Sequence, residues 1–185
     1  MSGRLYFLIG LPRSGKSTIA KRWLNNEINI TNYHCIVDKL ACEISFPRVV
    51  VNADRIRLAM GHRWNGVVEP YVAATCDTMI RALLYDHDVL IDETHTSARS
   101  ILRTLQISSI ANWHFVDALP GVCQQRAIDT GQRDLTTVIG RMYTNLCKLC
   151  NCGTMVSIKG ELPRVIDELK EQASANKGKF ERIVD

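Results

Sequence analysis

Short apolar runs alternate along the chain with segments in which apolar residues recur every three or four positions. An unbroken apolar run is typical of a buried strand, and the wider spacing is typical of one face of a helix. Five strands are predicted, over Leu5–Ile9, 49–51, 89–91, 114–116 and 155–158. This alternation predicts a doubly wound, three-layer α/β domain with a central, mostly parallel five-stranded sheet.

The helices predicted between these strands carry end signals. Asn52 is a cap for a short helix that ends at Gly61, and Pro120 suits a first helical turn. The buried face of a longer helix is marked by six residues at helical spacing: Val68, Val72, Cys76, Met79, Ile80 and Leu83. Further helices are predicted over 16–25, 97–109 and 138–146 and from Leu162. Residues 26–46 are irregular and predict an insertion.

Composition limits the class of protein. Hydrophobic residues make up 46% of the 185 positions and charged residues 23%, which is typical of a globular chain and excludes disordered and coiled-coil classes. The longest apolar run, Leu5–Ile9, is far shorter than the roughly 20 residues that span a bilayer. No secretory signal follows the start, so we expect one domain, 1–185, in the cytoplasm and no membrane partner.

Charge and cysteine content add less. Lys and Arg number 23 against 19 Asp and Glu, and the net charge of +4 is compatible with an anionic partner. Seven cysteines without an export signal indicate reduced thiols. Cys147, Cys150 and Cys152 form the one cluster, and free thiols at a helix end are favoured there over a metal site.

One motif carries specific chemistry. Residues 10–17 read GLPRSGKS and fit G-x4-G-K-[ST] without a mismatch, between a predicted strand and a predicted helix. In that setting backbone N–H groups wrap a triphosphate, Lys16 reaches the β and γ phosphates, and Ser17 holds Mg²⁺. The motif therefore predicts nucleotide binding.

A second constellation follows the second strand. Asp54 and Arg57 are three residues apart, so they share a helical face at the carboxyl edge of the sheet, where ligands bind in open α/β folds. Asp54 would accept a hydroxyl proton and Arg57 would hold an anionic part of the substrate. The alternative is an exposed ion pair worth a few tenths of a kcal/mol.

Other candidate residues lie near the same edge. Asp92 follows the third strand and can anchor Mg²⁺, as can Glu93; the alternative for either carboxylate is a helix cap. Trp64, in a glycine-bounded loop, either stacks a base or fills the core. Arg99 and Arg103 lie one helical turn apart and suit a nucleic-acid backbone, although a solvated face suits Arg103 better.

These motifs resemble the P-loop kinases typified by the 5′-hydroxyl polynucleotide kinases of bacteriophages. Gly10 to Thr18 matches that family's G-x-P-x-S-G-K-S-T loop, and residues 51–57 resemble its D-x-x-R segment. Asp92 to His95 is similar to its D-T-N segment, with His95 in place of the usual Asn. The stretch from Arg126 to Tyr143 resembles its arginine-bearing lid, placed at roughly 120–146.

The resemblance implies a P-loop NTPase fold and ATP-dependent transfer of the γ-phosphate to a hydroxyl, with Mg²⁺. Asp54 is then the general base, Lys16 and Arg126 act on the transferring phosphate, and Arg57 contacts a substrate phosphate. From their positions in the sequence we add Trp64, Thr94 and Arg99 as candidate substrate contacts. The lid's second arginine does not follow the family spacing; we assign its role to Arg133, and the alternative for Arg133 is a solvent-facing side chain. The nucleotide contacts fall on Gly10, Pro12, Arg13, Ser14, Gly15, Lys16, Ser17 and Thr18, and the metal contacts on Ser17 and Asp92.

The acceptor stays open at this point. We favour a polynucleotide 5′-hydroxyl, over a 5-hydroxymethyl pyrimidine in DNA (a DNA-modification reaction), a nucleoside, tRNA or a small molecule. A nucleotide-binding switch without transfer is the alternative from another class, and the D-x-x-R segment counts against it. The length favours a kinase domain without a fused phosphatase, in the host cytoplasm if a phage encodes it. DNA against RNA, ATP against GTP and the oligomeric state are left undecided.

Overall fold

A computed structural model describes residues 3–30 and 46–181, so most of the insertion predicted over 26–46 lies outside the described residues. The elements in chain order are β1 (Leu5–Ile9), α1 (Lys16–Leu24), β2 (Arg48–Val51), α2 (Ala53–Ala59), α3 (Glu69–Leu83), β3 (Asp88–Ile91), α4 (Ala98–Ile107), β4 (Asn112–Phe115), α5 (Pro120–Asp129), α6 (Leu135–Cys150) and α7 (Met155–Glu181).

The described strands form one four-stranded sheet in the order β2-β3-β1-β4. β3 pairs in parallel with both β1 and β2, with Tyr6 opposite Leu90 and Val50 opposite Leu90 on the other side. Every residue of β1 and β3 is buried, which explains why residues 5–9 and 89–91 are continuously apolar instead of alternating. The parallel α/β architecture predicted from the sequence is confirmed.

The fifth predicted strand is wrong, because residues 155–158 are the first turn of α7. Met155, Ile158 and Leu162 are buried at helical spacing, a period that the short apolar run concealed. Thr154 starts the helix, since its hydroxyl accepts a hydrogen bond from the Ser157 backbone N–H at 3.1 Å.

The described chain forms two compact units. The first contains residues 3–8, 17–30, 46–93 and 112–114. Within it α3 packs on α2, β2 and β3. Asn52 caps α2 as predicted, because its Oδ1 accepts the Arg55 N–H at 3.0 Å. Val72, Cys76 and Ile80 form the buried face of α3, whereas Met79 is 41% exposed and was wrongly assigned to that face.

The second unit contains residues 9–16, 94–111 and 115–181. Within it α7 packs on α4 and α6, and α5 packs on α6. Ser97 caps the start of helix α4, because the side chains of Ser97 and Ser100 hydrogen-bond each other's backbone N–H groups.

No helix among residues 3–30 and 46–181 combines the length and the apolar character needed to cross a membrane.

Candidate functional site

The segment directly after β1, which we call the phosphate loop (residues 10–16), begins at a crowded glycine. The Gly10 N–H donates to the Thr94 carbonyl at 3.1 Å. A Cβ on Gly10 would lie 3.1 Å from the Val116 carbonyl oxygen and 3.2 Å from the Val116 Cβ. The glycine therefore lets the chain pass close to Val116, and the predicted substrate residue Thr94 anchors the loop through its backbone.

The middle of the phosphate loop has left-handed backbone. Gly15 has φ +106°, where a side chain is strained, and Arg13 has φ 63°. A non-glycine residue in this region costs on the order of 1–3 kcal/mol and is kept where surrounding contacts impose it. Left-handed residues within a turn occur in the backbone nests that bind anions.

Two buried polar groups lie inside the loop and fit a polyphosphate. The Lys16 ammonium donates to the carbonyls of Gly10 at 3.1 Å and Leu11 at 2.6 Å, and Lys16 is 8% exposed. The Ser14 hydroxyl is buried and has no hydrogen-bond partner among the described residues. Because an unsatisfied buried hydroxyl is costly, an anion acceptor would stabilise this arrangement.

The predicted lid contacts the phosphate loop within the second unit. Arg126 on α5 donates from Nη1 to the Arg13 carbonyl at 3.1 Å, and the Arg13 guanidinium donates to the Gln132 side chain. Burial raises the pKa of Cys123, and the nearby charges of Arg126 and Lys16 oppose that rise. Arg133 is exposed in the turn after α5. Arg126 and Gln132 are therefore the lid residues whose side chains contact the loop here.

In the first unit, Ser17 and Asp92 meet where α1 begins and β3 ends. The Ser17 hydroxyl donates to Asp92 Oδ2 at 2.9 Å, and Asn52 Nδ2 donates to the same oxygen at 3.1 Å. The Asp92 N–H donates to the Val51 carbonyl at 2.9 Å, which ties the end of β3 to β2. Ser97 caps α4, so the helix-cap alternative does not apply to Asp92, and its side chain bonds Ser17 and Asn52. Adjacent hydroxyl and carboxylate oxygens fit Mg²⁺.

Asp54 and Arg57 form the ion pair given above as the alternative, and Arg57 also binds a second carboxylate. The Arg57 guanidinium donates from Nη1 to Asp54 Oδ1 and from Nε and Nη2 to the two carboxylate oxygens of Glu69, at 2.6 and 2.8 Å. The hydrogen bonds to Glu69 raise the pKa of Arg57, and the Arg57 guanidinium lowers the pKa of Glu69. Arg57 is buried, whereas the Asp54 side chain is 82% exposed.

Most of the other predicted contacts are exposed. Trp64 is 75% exposed, which excludes the core-filling alternative. Arg99 is exposed near the start of α4, and Thr18 is exposed in the first turn of α1. Pro12 is half-buried in the phosphate loop.

The cysteine cluster lies at the end of α6. Asn151 has φ 49°, and the Cys152 N–H donates to the Cys147 carbonyl at 3.0 Å, which closes the helix. Cys147, Cys150 and Cys152 are free thiols, and burial raises the pKa of Cys150 to about 11. No group of three or more His, Cys, Asp or Glu side chains suited to a metal ion occurs within 3–30 and 46–181.

Two contacts were missed by sequence reasoning. Glu69 is twelve residues from Arg57 on a different helix, and Gln132 lies in a turn 119 residues from Arg13. Both contacts join residues too far apart in the sequence to share a helical or strand period. The one available signal concerned Glu69, an acidic residue beside Pro70 at a helix start.

No protein-family model matches the chain, and no curated protein matches it. Solved structures are similar to it. One, described as the Pnkp1/Rnl/Hen1 complex, is 23% identical with a TM-score of 0.52 and covers 68% of this chain and 39% of its own. Another, the Pnkp1/Rnl/Hen1 RNA repair complex, is 20% identical with a TM-score of 0.51 and covers 76% and 46%.

A third similar structure, APE1195, is 18% identical with a TM-score of 0.52 and covers 72% of this chain and 73% of its own. The present chain spans less than half the length of the first two chains, 39% and 46%. At these identities the likeness concerns the fold, and it supports an α/β fold in which a parallel sheet packs with helices.

Proposed function

We propose that the protein is an ATP-dependent kinase that transfers the γ-phosphate to a hydroxyl group of a nucleic acid, with a polynucleotide 5′-hydroxyl as the favoured acceptor. The observation that carries the proposal is the phosphate loop itself. It follows a buried strand, enters a helix, and holds a buried ammonium and a buried hydroxyl that no other described residue hydrogen-bonds. The Asp54 carboxylate, which can act as a general base, then favours a kinase over a binding module.

Most residues of the phosphate loop have a role in this proposal. When ATP binds, the Lys16 ammonium donates to phosphate oxygens instead of to the carbonyls of the loop. The Ser14 hydroxyl donates a hydrogen bond to the same anion. Arg126 supplies positive charge near the transferring phosphoryl group, where negative charge spreads over the equatorial oxygens in the transition state. Arg133 is the second lid cation. We assign the remaining nucleotide contacts to Gly10, Pro12, Arg13, Gly15, Ser17 and Thr18.

Asp54 is the proposed general base. As the acceptor oxygen attacks the γ-phosphorus, its proton passes to the Asp54 carboxylate, a new O–P bond forms, and the bond from the γ-phosphorus to the bridging oxygen breaks to release ADP. Ser17 and Asp92 would hold Mg²⁺, which neutralises charge on the phosphates when bound. Asn52 keeps Asp92 in place through its amide.

Exposed side chains support a nucleic-acid acceptor. Trp64 and Tyr71 present 75% and 66% of their surface to solvent, and Arg55, Arg63 and Arg99 are exposed cations. Aromatic faces stack unpaired bases, and arginines bind phosphates. One of the structures with a similar fold belongs to an RNA repair complex, which agrees with an acceptor of this class.

The proposal is tested by label transfer from γ-labelled ATP in Mg²⁺ to matched acceptors. These are 5′-hydroxyl DNA, 5′-hydroxyl RNA, 5′-phosphorylated DNA with 5-hydroxymethyl pyrimidines, nucleosides and tRNA. We expect label on the 5′-hydroxyl strands. Label on another acceptor would change the substrate class, and ATP binding without any labelled acceptor would indicate a nucleotide-dependent switch.

Trp64→Ala is expected to raise KM for the oligonucleotide at least about 5-fold, since stacking of one base contributes about 1–3 kcal/mol. KM for ATP should stay within about 2-fold, because the aromatic side chain has no part in holding the nucleotide. Steady-state kinetics with each substrate varied in turn measures both values. The control is Tyr85→Ala, which removes another exposed aromatic residue (83% exposed). An unchanged oligonucleotide KM in Trp64→Ala would remove Trp64 from the acceptor site.

A further inference from the structure

We propose that Glu69 is a positioning residue for this reaction: through Arg57 it fixes the carboxylate of Asp54 for proton transfer. The inference rests on the proposed function and extends it to a residue on a second helix. It derives from three carboxylate–guanidinium contacts, of which one lies within α2 and two join α2 to the first turn of α3.

The geometry makes Arg57 a rigid connector. A guanidinium is planar, so two hydrogen bonds from Nε and Nη2 to one carboxylate fix the direction of Nη1 as well. Glu69 accepts those two bonds at 2.6 and 2.8 Å, and Nη1 donates to Asp54. Glu69 therefore determines the direction in which Nη1 of Arg57 donates its hydrogen bond.

Burial shows which of the two carboxylates holds the arginine. The Arg57 side chain is 10% exposed and that of Glu69 30%, whereas Asp54 is 82% exposed. An exposed carboxylate has rotamer freedom, and one i,i+3 ion pair restrains it by only a few tenths of a kcal/mol at the surface. A connector anchored by a bidentate, partly buried pair supplies the restraint that Asp54 lacks on its own.

Both members of the anchoring pair are charged near neutral pH. The pKa of Glu69 is lowered, first by its hydrogen bonds to Arg57, and the pKa of Arg57 is raised, first by the same bonds. Glu69 is itself held at the start of α3, where its N–H donates to the Asn65 carbonyl at 3.1 Å. Without Glu69, the buried Arg57 would keep only the exposed Asp54 carboxylate among these two partners.

The experiment compares transfer to a 5′-hydroxyl oligonucleotide by the wild type, Glu69→Gln and Glu69→Asp. Gln keeps one acceptor oxygen without the charge, and Asp keeps the charge on a shorter chain. We expect kcat to fall at least about 10-fold in Glu69→Gln, with KM for ATP within about 2-fold, because misplacing a reacting group lowers the rate of the step and leaves nucleotide binding intact. Glu69→Asp should retain more activity than Glu69→Gln.

A double-mutant cycle identifies the route of the effect. If Glu69 acts through Arg57, then Arg57→Ala with Glu69→Gln transfers phosphate no more slowly than Arg57→Ala alone. Glu168→Gln, which removes one carboxylate from an exposed Arg–Glu pair on α7, is the matched control and should leave kcat unchanged. All rates are measured below the thermal transition of each variant.

The outcomes separate this inference from the proposed function. A wild-type protein that labels no acceptor overturns the kinase assignment itself. A wild type that transfers phosphate, together with a Glu69→Gln variant of unchanged kcat, overturns the role of Glu69 alone. Additive losses in the double variant, or a rise in KM for ATP that matches the fall in rate, would also overturn it, because Glu69 would then act outside the connector.

Discussion

Asp54→Asn is expected to lower the rate of phosphoryl transfer at least about 10²-fold, the contribution typical of a positioned general base. Asparagine keeps an oxygen that can accept the Arg57 Nη1 hydrogen bond, so the contacts of Arg57 with Glu69 should remain. The amide cannot take up the acceptor proton. We therefore expect ATP affinity within about 2-fold of the wild type, because the change leaves the phosphate loop intact.

The measurement is single-turnover transfer to a 5′-hydroxyl oligonucleotide, with ATP affinity determined separately by equilibrium titration. Asp167→Asn is the control, since it removes the charge of an exposed aspartate on α7. A variant that transfers phosphate at the wild-type rate would make Asp54 a structural partner of Arg57 and would leave the reaction without its proposed base.

Lys16→Ala is expected to weaken ATP binding at least about 10-fold and to slow transfer at least about 10²-fold. The ammonium is the buried cation of the phosphate loop, and hydrogen bonds to charged groups contribute about 1.5–3 kcal/mol each. Charge aimed at the transferring phosphate contributes further in the transition state, so the loss in rate should exceed the loss in affinity.

Lys21→Ala on α1 is the control for loss of a lysine, because it lies on the same helix and is exposed. Equilibrium titration and single-turnover transfer are measured on both variants, and thermal unfolding checks that the loop survives the loss of the two carbonyl contacts. Unchanged ATP affinity in a folded Lys16→Ala would contradict the assignment of residues 10–16 as the phosphate loop.

Local signals in the sequence were sufficient for most of the fold. Continuous apolar runs located β1 and β3 because both strands are buried along their whole length, and Asn52 marked the start of α2 through its side-chain hydrogen bond. The same rule failed at residues 155–158. There a helix begins with apolar residues close together, and a four-residue window cannot distinguish the two periods.

The candidate site divides in a similar way. The loop motif and the Asp54–Arg57 pair are short-range patterns, and the sequence predicted both. Which partners complete them depends on helix packing, since Glu69 reaches Arg57 from the next helix and Gln132 reaches Arg13 from a distant turn. The exposure of Trp64 could not be predicted from the sequence either, because only tertiary structure decides whether this side chain fills the core or faces solvent.

Phosphoryl transfer from ATP to a polynucleotide 5′-hydroxyl is tested by comparing two strands that differ only at the 5′ end. γ-Labelled ATP is offered with a 5′-hydroxyl oligonucleotide or with the same oligonucleotide already phosphorylated at its 5′ end. We expect label on the hydroxyl end alone, reduced at least about 10²-fold in Asp54→Asn. Bound ATP with no label on either strand, or equal label on both, would contradict it.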